Sequence, residues 1–154
     1  MPDDAQARGS GTSSSRPTNA GPGRVLVAIY AVFALSASAR AGIQIATHFD
    51  EAPVAYLLSA LAAAVYIVAT VALARSTPAS RRVATIACTV ELLGVLVVGT
   101  LSVVWPDAFP DATVWSGYGR GYGFVPLVLP VLGLLWLWRS GGTRQRRGGQ
   151  RQRV

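Results

Sequence analysis

Lysine is absent, cysteine and histidine each occur once, and charged residues make up only 14% of the 154 positions. A lone cysteine, Cys88, cannot pair within the chain, which excludes a disulfide-stapled scaffold. A soluble domain carries about a quarter of its residues as charges. With 51% of this chain apolar, a soluble enzyme domain is excluded as well. Also missing are H-E-x-x-H, G-x-S-x-G, a phosphate loop and the glycine spacing of a dinucleotide site. The sequence therefore predicts a protein that is not an enzyme and uses no cofactor. Its length suits one compact unit, and no internal repeat divides it.

The few charges are segregated. Residues 25–138 hold 10 of them in 114 positions, whereas residues 1–24 and 139–154 together hold 11 in 40. Four apolar stretches fill the middle, at 25–47, 53–74, 83–105 and 121–138. A hydrocarbon core of about 30 Å needs about 20 helical residues at 1.5 Å each, and all four stretches approach that length. Strands are excluded because these runs lack the period-2 alternation of a membrane barrel. The fold class expected is an all-α membrane protein: four antiparallel transmembrane helices in a four-helix bundle, flanked by disordered tails at 1–24 and 139–154. The first tail is Ser, Gly, Pro, Thr and Ala with almost nothing large and apolar to bury.

Punctuation between the stretches agrees with helix ends. Asp50 and Glu51 precede Pro53, which suits a first helical turn. Arg75 to Pro78 closes the second stretch, Arg81 and Arg82 open the third, and Trp105-Pro106-Asp107 ends it. Tyr118, Tyr122, Trp136 and Trp138 frame the fourth with interfacial rings. All 14 basic residues are arginine, and placing both tails and the 75–82 loop on one side collects 12 of them there. Arginine-rich segments resist translocation. The expectation is a multi-pass protein of the bacterial cytoplasmic membrane with both termini cytoplasmic. A competing account takes the first stretch as a signal peptide cleaved after Ala37-Ser38-Ala39, leaving three spans that begin at Arg40. The long leading tail and the return of apolar character after Arg40 weigh against it.

Two segments carry a resemblance. SARAGIQIATHFDEAPVAYLLSALAAAVYIVATVALAR, from Ser38 to Arg75, and ELLGVLVVGTLSVVWPDAFPDATVWSGYGRGYGFVPLVLPVLGLLWL, from Glu91 to Leu137, are similar to small four-span integral membrane proteins of high-GC Gram-positive bacteria. The resemblance covers the membrane body and omits both tails. It implies four spans and brings no activity, so no catalytic or binding residue follows from it.

Arg40 and Glu91 are the only charges well inside predicted spans, and an isolated ionisable group in hydrocarbon costs several kcal/mol. Ser36, Arg40, Gln44 and Thr47 or His48 recur every three to four residues, forming one polar stripe that must face protein or water. Counted from the cytoplasmic ends of the stretches, Arg40 lies about 23 Å deep and Glu91 about 12 Å. That makes a direct ion pair marginal, with Ser59 the better neighbour for Arg40 and Tyr66 for Glu91. Both neighbours lie on a second-helix stripe of Tyr56, Ser59, Ala63, Tyr66 and Thr70. Two readings follow: these groups fix helix register and packing, or Glu91 titrates in a proton or ion path.

Weaker signals complete the survey. His48, Asp50 and Glu51, joined by Asp107 or Asp111, present imidazole and oxygen ligands for a divalent cation, although helix-start chemistry already explains the acids. Ser116 to Phe124 contains Gly-Tyr-Gly twice, yet Trp115 and Ser116 stand where a potassium filter needs Thr-Val, so an interfacial loop is expected. Pro126 and Pro130 remove two backbone donors and predict a bend in the last helix. Arg139, Arg144, Arg146, Arg147, Arg151 and Arg153 form a basic tail without an acid; directly after a span it reads as a contact to anionic lipid headgroups rather than to nucleic acid. The small residues at 60–64, Gly94 and Gly99 permit close helix approach. The function expected is a non-catalytic accessory or scaffolding component of a larger membrane assembly. Its partner is a membrane protein or further copies of the chain. The alternative is a small transporter or ion-coupled carrier using Arg40 and Glu91.

Overall fold

The computed structural model describes residues 21–75 and 77–148, with side chains as far as Ser140. Among these residues the fold is all-helical: α1 (Gly21–His48), α2 (Pro53–Ala74), α3 (Pro78–Val104), short 3-10 segments at Pro106–Ala108 and Ser116–Tyr122, and α4 (Val125–Gly148). By length and composition α1, α2 and α3 can each cross a membrane. Ser116–Tyr122 and Val125–Ser140 pass the same test only as one span bent by 99°. The protein thus has three to four apolar helices of membrane-spanning length.

Helix starts follow local chemistry. Pro53 and Pro78 occupy first-turn positions, where the missing N–H needs no acceptor. Thr77 caps α3 by accepting from the Ser80 amide at 3.1 Å. This is why α3 begins five residues before the apolar stretch at 83 that the sequence marked. α1 likewise begins four residues early, at Gly21, and α4 begins at Val125 rather than 121. The sequence placed 139–154 in a disordered tail, whereas α4 continues through Gly148.

Each helix buries one face. On α1 this is Leu26, Tyr30, Ala34, Ala37 and Ala41, spaced by three or four residues. α2 buries Tyr56, Ser59, Ala62, Ala63, Tyr66 and Ala69 among others, so alanines let it sit close to α1 on one side and α3 on the other. α3 buries Ala84, Ala87, Cys88, Glu91, Val95, Val98 and Gly99. Outward-facing threonines need no outside partner: the hydroxyls of Thr85, Thr89 and Thr100 donate to the carbonyls of Arg81, Thr85 and Leu96, four residues back.

α4 is where the pattern changes. Its apolar part, Val125 to Trp138, is about 21 Å long and falls short of a hydrocarbon core of about 30 Å. Along α3, Gly133 lies against Cys88 and the Leu137 carbonyl accepts from Arg81 Nη2 at 2.5 Å. The remaining length beside α3 is filled by the segment before α4. Trp115 lies against Gly94 and Tyr118 against Gly99, so that a Cβ on either glycine would come within 2.7 Å of the ring. The chain turns there through left-handed conformations at Gly117, Tyr118, Gly119, Gly123 and Phe124. The bend expected at Pro126 and Pro130 sits just before both, between Tyr122 and Val125. Pro126 then falls in the first turn of α4, where its ring closes against Gly119.

Candidate functional site

Glu91 has no exposed surface. Its Oε2 accepts from the Tyr30 hydroxyl at 2.7 Å, and the same hydroxyl lies 3.4 Å from Cys88 Sγ. The geometry follows from three buried faces meeting. Tyr30 is on the inner face of α1, Cys88 and Glu91 are on that of α3, and Tyr66 of α2 places its ring 6.3 Å from that of Tyr30. Gly133 of α4 closes the site, since a Cβ there would meet Cys88 Sγ at 2.9 Å and the Tyr30 hydroxyl at 3.5 Å.

Arg40 is engaged elsewhere. Its Nη1 donates to the Tyr122 hydroxyl at 2.7 Å, Nη2 to the Ala112 carbonyl at 3.0 Å, and Nε to Gln44 Oε1 at 3.4 Å. The guanidinium also stands 6.0 Å from the Tyr122 ring centroid. A planar fork with several donors suits this bridging of loop carbonyl and tyrosine hydroxyl. A second tie joins the same region to α2, where the Tyr56 hydroxyl donates to Asp111 Oδ2 at 2.5 Å. Rings bridge the two centres: Tyr122 lies 6.2 Å from Phe33, and Phe33 lies 5.8 Å from Tyr66.

The sequence-based neighbours are rearranged. Ser59 is buried but donates to the Ala55 carbonyl of its own helix at 3.0 Å, so Arg40 finds its partners in the 112–122 segment instead. Tyr66 is in the Glu91 cluster, yet the hydroxyl that bonds Glu91 belongs to Tyr30. Tyr30 sits about 8 Å from the start of the first apolar stretch and Glu91 about 12 Å from the start of the third, a gap a tyrosine side chain closes. That depth match was the available signal, and it was lost by counting Tyr30 with the apolar residues. On the first-helix stripe Arg40 and Gln44 are half-buried, while Ser36, Thr47 and His48 are exposed.

The Ser116–Phe124 segment, expected as an interfacial loop, packs inward in part: Gly119 is buried and Ser116, Gly117, Tyr118 and Tyr122 are half-buried, whereas Arg120, Gly121, Gly123 and Phe124 are exposed. Thr113, Val114, Trp115 and Gly119 are buried, and Val114 and Trp115 belong to the core that holds Tyr30 and Tyr66. Irregular backbone buried in protein must have its hydrogen bonds met by protein groups. Here the Thr113 hydroxyl accepts from the amides of Trp115 and Ser116, the Ser116 hydroxyl from that of Thr113, and Ser102 of α3 from that of Gly117. The sequence showed the Gly-Tyr-Gly pairs, but the inward turn depends on α3 offering Gly94, Gly99 and Ser102 along one side.

The metal candidates do not assemble. Among the described residues no group of three or more His, Cys, Asp and Glu is placed to hold an ion. His48 Nδ1 pairs with Thr47 Oγ1 at 2.5 Å, and Asp111 is taken by Tyr56. Of the basic tail, Arg139 is exposed at the end of the described side chains. The side chains of Arg144, Arg146 and Arg147, and all of Arg151 and Arg153, lie outside the described residues. No known family, curated protein or solved structure matches the chain.

Proposed function

We propose that this chain is a non-catalytic accessory or scaffolding component of a larger assembly in the bacterial cytoplasmic membrane. In this reading four antiparallel helices cross the bilayer, the fourth completed by the 113–124 segment, with both termini cytoplasmic and the arginine tail on anionic headgroups. The observation that carries it is the use made of Arg40. Its donors go to Tyr122, Ala112 and Gln44, so this half-buried cation ties α1 to the 112–122 segment and is not paired with Glu91. Membership of the four-span family of high-GC Gram-positive bacteria belongs to the same proposal. Purification from native membranes in mild detergent should bring down a stoichiometric membrane partner. Tags on Met1 and Val154 should both report from the cytoplasm.

A second reading, a small ion-coupled carrier, is favoured by one feature, the fully buried carboxyl of Glu91 with one oxygen unpartnered among the described residues. Reconstitution of the purified protein in liposomes separates the two. Flux that Glu91→Gln abolishes, from a homo-oligomer lacking other subunits, supports the carrier and overturns the accessory role.

A further inference from the structure

The outward cleft between α2 and α3 holds two adjoining hollows, of about 400 Å³ and about 240 Å³, which share Val68 and Val83 in their walls. They exist because the side chains along the seam are short. Ala64, Val68 and Ala72 line it from α2 at helical spacing, and Val83, Ala87 and Val90 do so from α3. The walls are hydrocarbon except at one end, where Arg75 and Ser80 line the smaller hollow. The Ser80 hydroxyl already donates to the carbonyls of Arg75 and Thr77, so Arg75 is the group left to meet a ligand.

Length and charge together identify an occupant. From Ala64 to Arg75 the groove runs about 16 Å at 1.5 Å per residue. That is half of a hydrocarbon core of about 30 Å, the depth of one leaflet. A transmembrane partner helix would run through both leaflets, whereas an acyl chain runs through one. The polar end carries cations without acids. Arg75 ends the α2 side of the groove, Arg82 stands one turn before Ile86 on the α3 side, and both are exposed. No Asp or Glu occurs between Glu51 and Glu91. Arg81, by contrast, is committed to the Leu137 carbonyl. A guanidinium binds phosphate oxygens in pairs, so a hydrocarbon groove that ends at two of them has the order of groups in a phospholipid, chain first and then phosphate. We propose that the α2–α3 groove binds one anionic phospholipid, with an acyl chain lying between Val68 and Val83 and the phosphate on Arg75 and Arg82. The site is separate from the arginine tail. It requires only that α2 and α3 cross a membrane, which both functional readings share.

Photocrosslinking tests it. The full chain is reconstituted in phosphatidylcholine vesicles containing a minor share of phosphatidylglycerol with a diazirine on one acyl chain, and adducts are mapped by mass spectrometry. Residues 64–72 and 83–90 should be labelled several-fold more than the outward face of α1, where Val32 and Leu35 are more exposed than Val68 and Val83. Unlabelled phosphatidylglycerol should compete that excess away, and unlabelled phosphatidylcholine should not. Arg75→Gln combined with Arg82→Gln, with helicity unchanged by circular dichroism, should lower labelling of the groove to the level of α1. Arg144→Gln combined with Arg146→Gln, in the tail, should leave it unchanged. Equal labelling of the groove and α1 in the unaltered chain overturns the proposal, as does equal competition by the two unlabelled lipids. So does a groove without adducts, which would mean that a protein partner occupies it.

Discussion

The two sides of α3 are built on opposite principles. Toward α1 and α2 the contact is helix on helix, with alanines bringing the backbones together and one tyrosine–glutamate bond at the centre. Toward the segment that precedes α4 the contact is helix on irregular chain, with two glycines accepting Trp115 and Tyr118 and with Arg40 and Tyr56 reaching over from α1 and α2 to hold the segment down. A regular helix satisfies its own backbone, so the first side needs only apolar packing. The second side has backbone groups that must be met one by one, so it gathers Thr113, Ser116, Ser102 and Arg40. Arg40, one of the two charges the sequence offered for a relay, is spent on this segment, whereas Glu91 stays on the helix-on-helix side with Tyr30.

The sharpest way to break this contrast is Arg40→Met. It removes the donors to Tyr122 and to the Ala112 carbonyl, and hydrogen bonds from a charged group are worth about 1.5–3 kcal/mol. Unfolding by SDS titration should show a loss of about 2–4 kcal/mol, with faster deuterium exchange confined to 106–124 and little change in α1 to α3. Arg40→Lys should restore only a small part, because a point charge cannot bridge two acceptors as a fork does. Uniform acceleration of exchange across all helices would mean that the two sides are not separate.

Next come the glycines of α3. In Gly94→Ala the new methyl would stand 2.7 Å from the Trp115 ring, and in Gly99→Ala it would meet the Tyr118 ring at 2.7 Å and its backbone nitrogen at 2.9 Å. Overpacking of this kind costs about 1–3 kcal/mol. The larger loss should be at Gly99, where backbone rather than a ring must move. Tyr56→Phe, which removes the hydroxyl bonded to Asp111, should cost less, about 0.5–1.5 kcal/mol.

The same contrast explains what was legible in the sequence. Length and hydropathy were enough for α1, α2 and α3, because a helix that satisfies its own backbone writes itself as an uninterrupted apolar run. Glu91 and Arg40 stood out because charge in such a run is costly. Their partners did not: Tyr30 was hidden by counting as apolar, and Tyr122 and Ala112 are more than 70 positions from Arg40. The stretch beginning at 121 misled because apolar composition marks depth in the membrane and says nothing about where the backbone becomes helical. Trp115, in a polar and proline-broken segment, was the hardest to foresee, since its burial depends on a space that only Gly94 on another helix provides.

Gly42→Ala offers the smallest effect and the cleanest control. Gly42 lies in the interior of α1 with open space around its Cβ position. Replacing a glycine there removes conformational freedom from the unfolded chain and should stabilise by about 0.5–1 kcal/mol. Opposite signs at Gly42 and Gly94, in the same SDS titration, would mean that glycine serves α3 as space for a ring and serves α1 no comparable purpose. A loss at Gly42 would instead reveal that the outward face of α1 near Ile43 and Gly42 is covered in the membrane. A partner helix pressed against that face is what the accessory role requires, so the sign of this one small change bears on function as well as on packing.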